Sequence, residues 1–298
     1  MNEIIFSCVI PASKKDSESQ NLKDLISSIK SQDFPQNQIE ILVVTEGDSE
    51  QAKAIGIRKS KGKICAMFCA DNYLMENDLF KRVKNVFYSD SCIEAIYEKH
   101  YAYLRSDNSL NRYFSLIGNN DPIPFYLGKC DREPWVDGIY KRQGMPSYGC
   151  NGFFVKKECF KKTDLAHYYP MDAHVDMKLN YIIFDRGTVW HRTSDNLFTF
   201  LKKRYRYARD LYCDRRDRRW KVIDTGEDRF RLFLFIFATI TIIQPLSVSL
   251  RGFFKIRDWA WFWHWPVAFG FLVTYSALVI RNLFKHGTIF QVKCAPAR

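Results

Sequence analysis

Three short polar segments in the N-terminal part of the chain carry side chains that could bind a polar ligand. They occupy positions 11–13, 45–48 and 69–72, and each directly follows an apolar run. Their side chains include the acids Glu46, Asp48 and Asp71, and carboxylate oxygens accept hydrogen bonds or bind cations. The three segments therefore predict a nucleotide-type site, provided that the fold brings them together.

The apolar pattern around these segments alternates between strand and helix. Runs at 4–10, 39–44 and 64–68 are short and apolar, as buried strands are. Other apolar side chains follow the spacing of one helical face, namely Leu22, Leu25, Ile26 and Ile29, and then Leu79, Val83, Val86 and Phe87. This alternation predicts an α/β fold with a doubly wound parallel sheet. Ligands of such sheets bind beyond the carboxyl ends of the strands, where the polar segments fall.

The composition excludes several classes of protein. Of the 298 residues, 47% are hydrophobic and 16% are aromatic, which excludes a disordered chain. The mean hydropathy of −0.29 excludes a protein that lies mostly within the bilayer. The nine cysteines are sparse and include no CxxC pair, so they predict free thiols in a reducing compartment rather than a disulfide scaffold or a structural zinc site.

Two long apolar runs lie near the C-terminus. Positions 232–250 and 259–280 contain 19 and 22 residues without a formal charge if His264 is neutral. About 20 apolar residues span a hydrocarbon core of ~30 Å, so both runs are predicted membrane segments. The alternative is a buried helical hairpin in a soluble domain. The connector 251–258 is basic, which the positive-inside rule does not expect on the outer side. Re-entrant or partly inserted helices would resolve this conflict, but the sequence does not decide between them and full spans.

A basic segment at 202–221 precedes the apolar runs. It contains ten Lys or Arg residues and carries a net charge of +7, with tyrosines and a tryptophan interleaved. Beside membrane segments, this pattern predicts an interfacial helix on an anionic leaflet. The alternative is a solvated helix with Arg–Asp pairs. No nucleic-acid partner is predicted, because no base-reading motif accompanies the net charge of +12.

Four N-terminal segments, in order and at this spacing, resemble the N-terminal half of family 2 glycosyltransferases. They read FSCVIPAS, QNLKDLISSIKSQDFP, IEILVVTEG and AKAIGIRKSKGKICAMFCADN, and the similarity resumes at YGCNGFFVKKE, positions 148–158. The resemblance implies a GT-A fold, which is a Rossmann-like, mostly parallel sheet with flanking helices, followed here by a C-terminal helical membrane hairpin. It also implies a nucleotide-sugar donor, a divalent metal (Mg²⁺ or Mn²⁺) and inverting transfer by direct displacement.

The resemblance assigns roles to individual residues. The DxD motif of the family falls at 69–71, so it implies metal binding by Asp71 and His191, although Cys69 replaces the first acid. Thr45 likewise replaces an Asp beside Glu46, the residue implied to recognise base or ribose. The implied acceptor-side residues are Asn151 and Gly152. The implied donor-binding residues are Pro11, Ser13, Glu46, Asp71, Asn72, Arg204 and Arg206.

The general base is placed at 171–176 by the resemblance. Asp172 is preferred, because Val175 and Leu179 then fall on apolar helix positions of the family, and Asp176 is the alternative. The two acids are four residues apart and would share one helical face. Lys59 or Lys61 could contact phosphate, although a charge run before a glycine is more often a solvated helix end. The turn-rich positions 111–137 could form an acceptor loop or a structural insertion.

These observations predict a membrane-bound inverting glycosyltransferase of the hexosyltransferase type. Residues 1–200 would form the GT-A domain, 201–228 a basic interfacial region, and 229–298 two transmembrane or membrane-inserted helices with a short basic tail. The catalytic domain would face the cytoplasm at a plasma or inner membrane. The predicted acceptor is a polyprenyl phosphate or lipid-linked saccharide in polysaccharide or glycan biosynthesis, with a soluble acceptor as the first alternative. A catalytically degenerate membrane scaffold, motivated by Cys69 and Thr45, is the rival function.

Overall fold

The computed structural model describes residues 3–98, 101–118, 121–127, 139–143, 151–163, 165, 177, 179–184, 187–210 and 225–286. These residues belong to two compact units. The first, called the sheet unit, comprises Met1–Leu104, Ser115–Gly118 and Glu133–Arg192. The second, called the helical unit, comprises Arg105–Phe114, Asn119–Arg132 and Thr193–Arg298.

The sheet unit is built on a seven-stranded sheet with the order β2-β1-β3-β7-β5-β8-β6. Strands β1, β2 and β3 run parallel, as do β5 and β8, whereas β7 and β6 run antiparallel to their neighbours. A second sheet pairs β4 with β9 in antiparallel fashion. The strands are β1 (Phe6–Pro11), β2 (Ile39–Val44), β3 (Ile64–Met67), β4 (Asn72–Leu74), β5 (Ala95–Glu98), β6 (Ile139–Gln143), β7 (Phe153–Lys156), β8 (Asn180–Phe184) and β9 (Val189–His191). The predicted α/β class with a mostly parallel sheet is therefore confirmed.

Three helices flank this sheet, α1 (Gln20–Lys30), α2 (Ser49–Lys59) and α3 (Leu79–Ser89). The Ser19 side chain caps α1 by accepting from the backbone N–H of Leu22, and a capping box formed by Asp48 and Gln51 begins α2. The apolar faces predicted for α1 and α3 are buried against a core rich in phenylalanine. Rings at its centre include Phe6, Phe68, Phe80 and Phe154.

The helical unit contains most of the remaining helices. They are α4 (Ser109–Ile117), whose last turn is counted with the sheet unit, α5 (Pro122–Tyr126), α6 (Leu197–Ala208), α7 (Gly226–Thr241), α8 (Ile243–Lys255) and α9 (His264–His286). A 3₁₀ helix, Trp259–Trp263, precedes α9. By length and composition, Trp259–Phe284 could cross a membrane, whereas α7 and α8 reach this criterion only as a pair bent by 79°.

The bend between α7 and α8 divides the first predicted membrane segment. Ile242 adopts a left-handed backbone with φ 62°, a conformation that is strained for a β-branched residue. Pro245 lacks the N–H that a continuous helix would donate to the carbonyl of Thr241. The run 232–250 is therefore two helices and not the single segment that its composition predicts.

Candidate active site

The three polar segments emerge from one edge of the main sheet. Pro11, the last residue of β1, pairs with Val44 at the end of β2, and Val9 pairs with Met67 at the end of β3. Because these strands are parallel, the residues that follow them share the carboxyl edge. This is the edge at which ligands of open α/β sheets bind.

The first two segments form local turns at this edge. The Ser13 hydroxyl donates to the Asp16 carboxylate at 2.6 Å and accepts from its backbone N–H. The Glu46 side chain is 65% exposed, and its carboxylate lies 3.1 Å from Lys59 Nζ. The Glu46 carboxylate is thus presented to solvent at the end of β2.

The third segment is joined to a distant strand by the small sheet. Asn72 of β4 pairs with His191 of β9, and the backbone N–H of Arg192 donates to the Asp71 carbonyl. This pairing places His191 Nε2 3.3 Å from Asp71 Oδ1, with the imidazole nearly buried. The two residues that the resemblance implies as metal ligands, 120 positions apart in sequence, are therefore adjacent.

Two amide groups extend this pair into a larger polar cluster. The Tyr101 ring packs against His191 with centroids 4.8 Å apart, and Asn151 Nδ2 donates to the Tyr101 hydroxyl at 3.2 Å. Asn72 Oδ1 accepts from the backbone N–H of Cys69. Within the described part of the chain, the buried Asn72 Nδ2 and Asn151 Oδ1 atoms have no hydrogen-bond partner. Buried polar groups are usually paired in native proteins, so these two atoms can offer a hydrogen bond to a polar ligand.

The turn at Gly152 determines where Asn151 lies. Gly152 has φ 73°, and a Cβ atom there would approach Val189 Cγ2 to 2.9 Å. Only glycine fits both this backbone conformation and this close approach to β9. Gly152 therefore brings the acceptor-side segment implied by the resemblance directly against the strand that carries His191.

Glu98, at the end of β5, anchors the start of β9. Its buried carboxylate accepts hydrogen bonds from the backbone N–H groups of Thr188 and Val189, each at 2.9 Å, and from the Thr188 hydroxyl. Burial raises the pKa of Glu98 to about 7, while these hydrogen bonds and the charge of Arg82 oppose that rise. Glu98 thus holds the segment that leads to His191.

The residues present fit a metal ion that is shared with a phosphate ligand. No group of three or more His, Cys, Asp or Glu side chains among the described residues could hold a metal ion. Asp71 and His191 could nevertheless supply two ligands, and Mg²⁺ is commonly bound by one or two carboxylates with substrate phosphates and water. The site therefore suits a metal that enters together with a diphosphate.

The roles of all the predicted site residues stay predictions, and four of these residues are not among those described above at the sheet edge. Asp172 and Asp176, the candidate bases, lie outside the described residues. Arg204 and Arg206 lie on α6 of the helical unit, where the Arg204 guanidinium covers the Phe200 ring at 5.2 Å and Arg206 is exposed. Their assignment to donor binding stays a prediction.

Tyr101 and Glu98 were missed by reasoning from the sequence. Glu98 closes the run AIYE with a single acid, and the only available signal was its position at the end of a strand. Tyr101 had no signal at all, because its role follows from contacts with His191 and Asn151, each at least 50 positions away.

No family model matches this sequence, and no curated protein does either. Among solved structures, the chain is similar to the mannosyltransferase PcManGT from Pyrobaculum calidifontis in complex with GDP-Man and Mn²⁺. The identity is 11% and the TM-score 0.53, over 96% of this chain and 88% of that one. TarS 1-349 from S. aureus in complex with UDP-GlcNAc matches with 11% identity and a TM-score of 0.41, over 94% and 83% of the two chains.

Glucosyl-3-phosphoglycerate synthase from Mycobacterium tuberculosis, in complex with Mn²⁺ and UDP-Glc, matches with 12% identity and a TM-score of 0.42. The match covers 70% of this chain and 78% of that one. The fold assignment rests on the mannosyltransferase, because it alone of these three exceeds a TM-score of 0.5. Strand order, site edge and this similarity agree that the chain has a GT-A-like fold.

Proposed function

We propose that this protein is a membrane-bound inverting glycosyltransferase of the family 2 type that moves a hexosyl group from a nucleotide-diphosphate sugar to a lipid-linked acceptor. The observation that carries the proposal is the Asp71–His191 pair at the carboxyl edge of a GT-A-like sheet. The orphaned amide atoms of Asn72 and Asn151 beside it support a polar ligand. The similar mannosyltransferase fold, solved with GDP-Man and Mn²⁺, supports the donor class.

The residues at this edge have distinct proposed roles on the donor. Glu46 accepts hydrogen bonds from the ribose or base, and the turn at Pro11 and Ser13 borders the nucleotide. Asp71 and His191 hold Mg²⁺ or Mn²⁺, which, when bound, stabilises the negative charge of the diphosphate leaving group. Asn72 and Asn151 offer one donor and one acceptor to the sugar or diphosphate.

The transfer itself requires one general base. Asp172, or alternatively Asp176, removes the proton from the acceptor hydroxyl as its oxygen attacks the anomeric carbon. The bond from that carbon to the diphosphate breaks as the new glycosidic bond forms, which inverts the configuration. A phosphate acceptor needs little help from a base, because it is already ionised near neutral pH.

The acceptor and the location are proposed from the C-terminal half. The exposed apolar residues of the helical unit and the basic segment 202–221 support attachment to an anionic membrane surface. A lipid-linked acceptor, such as a polyprenyl phosphate or lipid-linked saccharide, would present its polar end there for polysaccharide or glycan assembly. In this proposal residues 1–200 form the cytoplasmic transferase domain, 201–228 the interfacial region and 229–298 the membrane helices.

The second candidate function is a degenerate glycosyltransferase-like scaffold. Cys69 stands where the DxD motif has its first acid, and the described residues offer only the Asp71–His191 pair as metal ligands. A scaffold of this kind would keep the fold and the membrane helices without transferring sugar.

A thermal-shift screen of detergent-solubilised protein separates the two functions. The ligands are UDP-, GDP- and dTDP-sugars, each with Mn²⁺, with Mg²⁺ and with EDTA. A ligand that binds only the folded state raises stability by ~2.7 kcal/mol at a hundredfold excess over Kd. We expect a metal-dependent shift for one nucleotide class. No shift with any donor would contradict the transferase and favour the scaffold.

A further inference from the structure

The C-terminal helices each expose a row of apolar residues, called the apolar stripe of that helix. On α7 the stripe is formed by Phe230, Phe233, Phe237 and Ile240; on α8 by Ile243, Leu246, Leu250 and Phe254; and on α9 by Phe269, Val273, Ile280 and Phe284. Within each helix these residues are three, four or seven positions apart, so they share one face. A contiguous exposed apolar surface of this kind marks a protein or membrane contact.

The opposite faces of the same helices are joined by polar contacts. The Tyr126 hydroxyl of α5 donates to Gln244 of α8 and lies 3.1 Å from His264 Nε2 at the start of α9. The Tyr113 hydroxyl of α4 lies 2.8 Å from His264 Nδ1. Polar groups therefore face inward and apolar groups outward, which is the arrangement expected of helices that meet hydrocarbon.

The bent pair α7–α8 starts beside α5 and ends beside α4. Near its start, Arg231 Nη1 donates to the Leu127 carbonyl at the end of α5, at 3.0 Å. After its end, the Asp258 carboxylate accepts from Arg112 of α4 at 2.7 and 3.2 Å, and Trp263 Nε1 donates to Ser109, also on α4. The chain thus leaves the α4–α5 segment and returns to it, so both ends of the pair lie on one side.

The N-terminal half of helix α9, through Tyr275, contacts polar and cation-bearing segments of the helical unit. Its Phe271 packs on Phe200 of α6 with centroids 5.8 Å apart, and its Tyr275 hydroxyl donates to the half-buried Asp121 carboxylate at 2.7 Å. The next residues of α6 include the exposed Lys202 and Lys203. From Tyr275 to Phe284 the helix rises only ~14 Å, about half of the ~30 Å hydrocarbon core.

We infer that α7, α8 and α9 form a wedge that enters one leaflet of a lipid bilayer and does not cross it. Lipid is the proposed partner of the apolar stripes, because exposed cations lie next to them, as on a membrane-surface helix. Arg229 precedes the α7 stripe, and Arg251 and Lys255 follow Leu250 and Phe254 of the α8 stripe. Trp259, exposed at the turn after α8, suits the headgroup region. The inference rests on the membrane attachment in the proposed function, but not on the transfer reaction.

Site-resolved cysteine labelling distinguishes a wedge from a span. Arg257→Cys probes the turn after α8, and Ala277→Cys probes the exposed face of α9. The native Cys92, which is exposed on the sheet unit, reports the side of that unit. A membrane-impermeant maleimide is applied to inside-out vesicles and to spheroplasts of an expressing bacterium, and labelled peptides are identified by mass.

We expect R257C to label together with Cys92, in the same preparation and to the same extent, and A277C to label only after detergent is added. Labelling of R257C in the preparation that protects Cys92 would place the turn across the membrane and overturn the wedge. Labelling of A277C without detergent would show that the face meets water and would also overturn it.

Flotation of the purified protein with phosphatidylcholine–phosphatidylglycerol vesicles tests whether lipid alone covers the stripes. We expect the full chain to float; failure to float would mean that a host protein had protected A277C, which overturns the lipid inference. The outcome is separable from the proposed function. If a donor stabilises the protein but R257C and Cys92 label from opposite sides, only the wedge is contradicted. If the two label from the same side but no donor binds, only the transferase is contradicted.

Discussion

The two units of this protein distribute polar and apolar groups in opposite ways. The sheet unit buries its aromatic rings, such as Phe6, Phe80 and Phe154, and brings its polar residues to one edge. The helical unit encloses polar pairs, such as Arg112–Asp258, and exposes apolar stripes. The first pattern suits a body surrounded by water, and the second is the pattern that the proposed membrane attachment requires.

Asp71→Asn tests the polar edge of the sheet unit and has the largest expected effect. The substitution keeps the side-chain shape but removes the charge beside His191, so metal and diphosphate lose a ligand. We expect the transfer rate to fall by about 10²–10³-fold, with little change in melting temperature. The assay is sugar transfer from the donor identified by thermal shift.

Asp33→Asn is the matched control for that substitution, because Asp33 is an exposed acid paired with Lys81. It should leave transfer unchanged. Equal transfer by D71N and wild type would show that Asp71 is not part of the machinery, and it would remove the main support for the transferase.

Glu98→Ala tests whether the interior of the sheet unit holds β9 in place. At pH 5, the variant leaves two backbone N–H groups and the Thr188 hydroxyl without their acceptor in a buried place. We expect a loss of about 3 kcal/mol in the free energy of unfolding, measured by urea denaturation in detergent. Glu98→Gln should retain most of the stability, because its amide can accept from both N–H groups and donate to the hydroxyl.

The same carboxyl predicts a pH dependence of stability. The pKa of Glu98 is raised to about 7 in the folded state, above its ordinary value near 4.5. Between these values the folded state binds more protons than the unfolded state, so the free energy of unfolding falls as pH rises from about 4.5 to 7. The total fall in the free energy of unfolding due to Glu98 reaches about 3 kcal/mol above pH 7 and then levels off. Because E98Q cannot ionise at this position, its stability relative to wild type should increase from pH 4.5 to 7. A difference that does not change with pH would contradict the raised pKa.

Arg112→Ala tests the inward polar face of the helical unit. The guanidinium binds Asp258 through two hydrogen bonds, and the carboxylate is 8% exposed, so truncation leaves a nearly buried acid without this partner. We expect a loss of about 2 kcal/mol in unfolding free energy, the range for hydrogen bonds to a charged group. Arg112→Lys should recover only part of it, since an ammonium cannot reproduce the two-pronged contact.

The main sheet was predictable from the sequence because buried parallel strands are continuous apolar runs, as at β1–β3. The Asp71–His191 pair came from a family resemblance, and no periodicity would have joined two residues 120 positions apart. Glu98 is an ordinary acid in sequence terms, since its burial depends on Thr188 and Val189, which lie 90 and 91 positions further along.

The helical unit was harder to predict for a related reason. The turn-rich block 111–137 provides most of α4 and the whole of α5, and their partners are C-terminal residues such as Gln244 and His264. Hydropathy identified the apolar run 232–250 but could not place its bend. Pro245 was the available local signal, whereas the left-handed Ile242 depends on how the two helices pack.

Lys59→Ala has the smallest expected effect and sharpens the contrast between exposed and buried pairs within one helix. The Lys59 and Glu46 side chains are 57% and 65% exposed, so their ion pair is screened, and its loss should change the unfolding free energy by less than about 0.5 kcal/mol. Lys53→Ala, on the same helix, breaks a pair with Glu50 whose side chains are only 8% and 4% exposed, so it should cost several times more.

The affinity of the Lys59→Ala variant for the donor supplies the second measurement. If K59A leaves it unchanged, Lys59 is a solvated helix end; a tenfold loss would instead place Lys59 on the donor phosphates and extend the site beyond the Asp71–His191 pair.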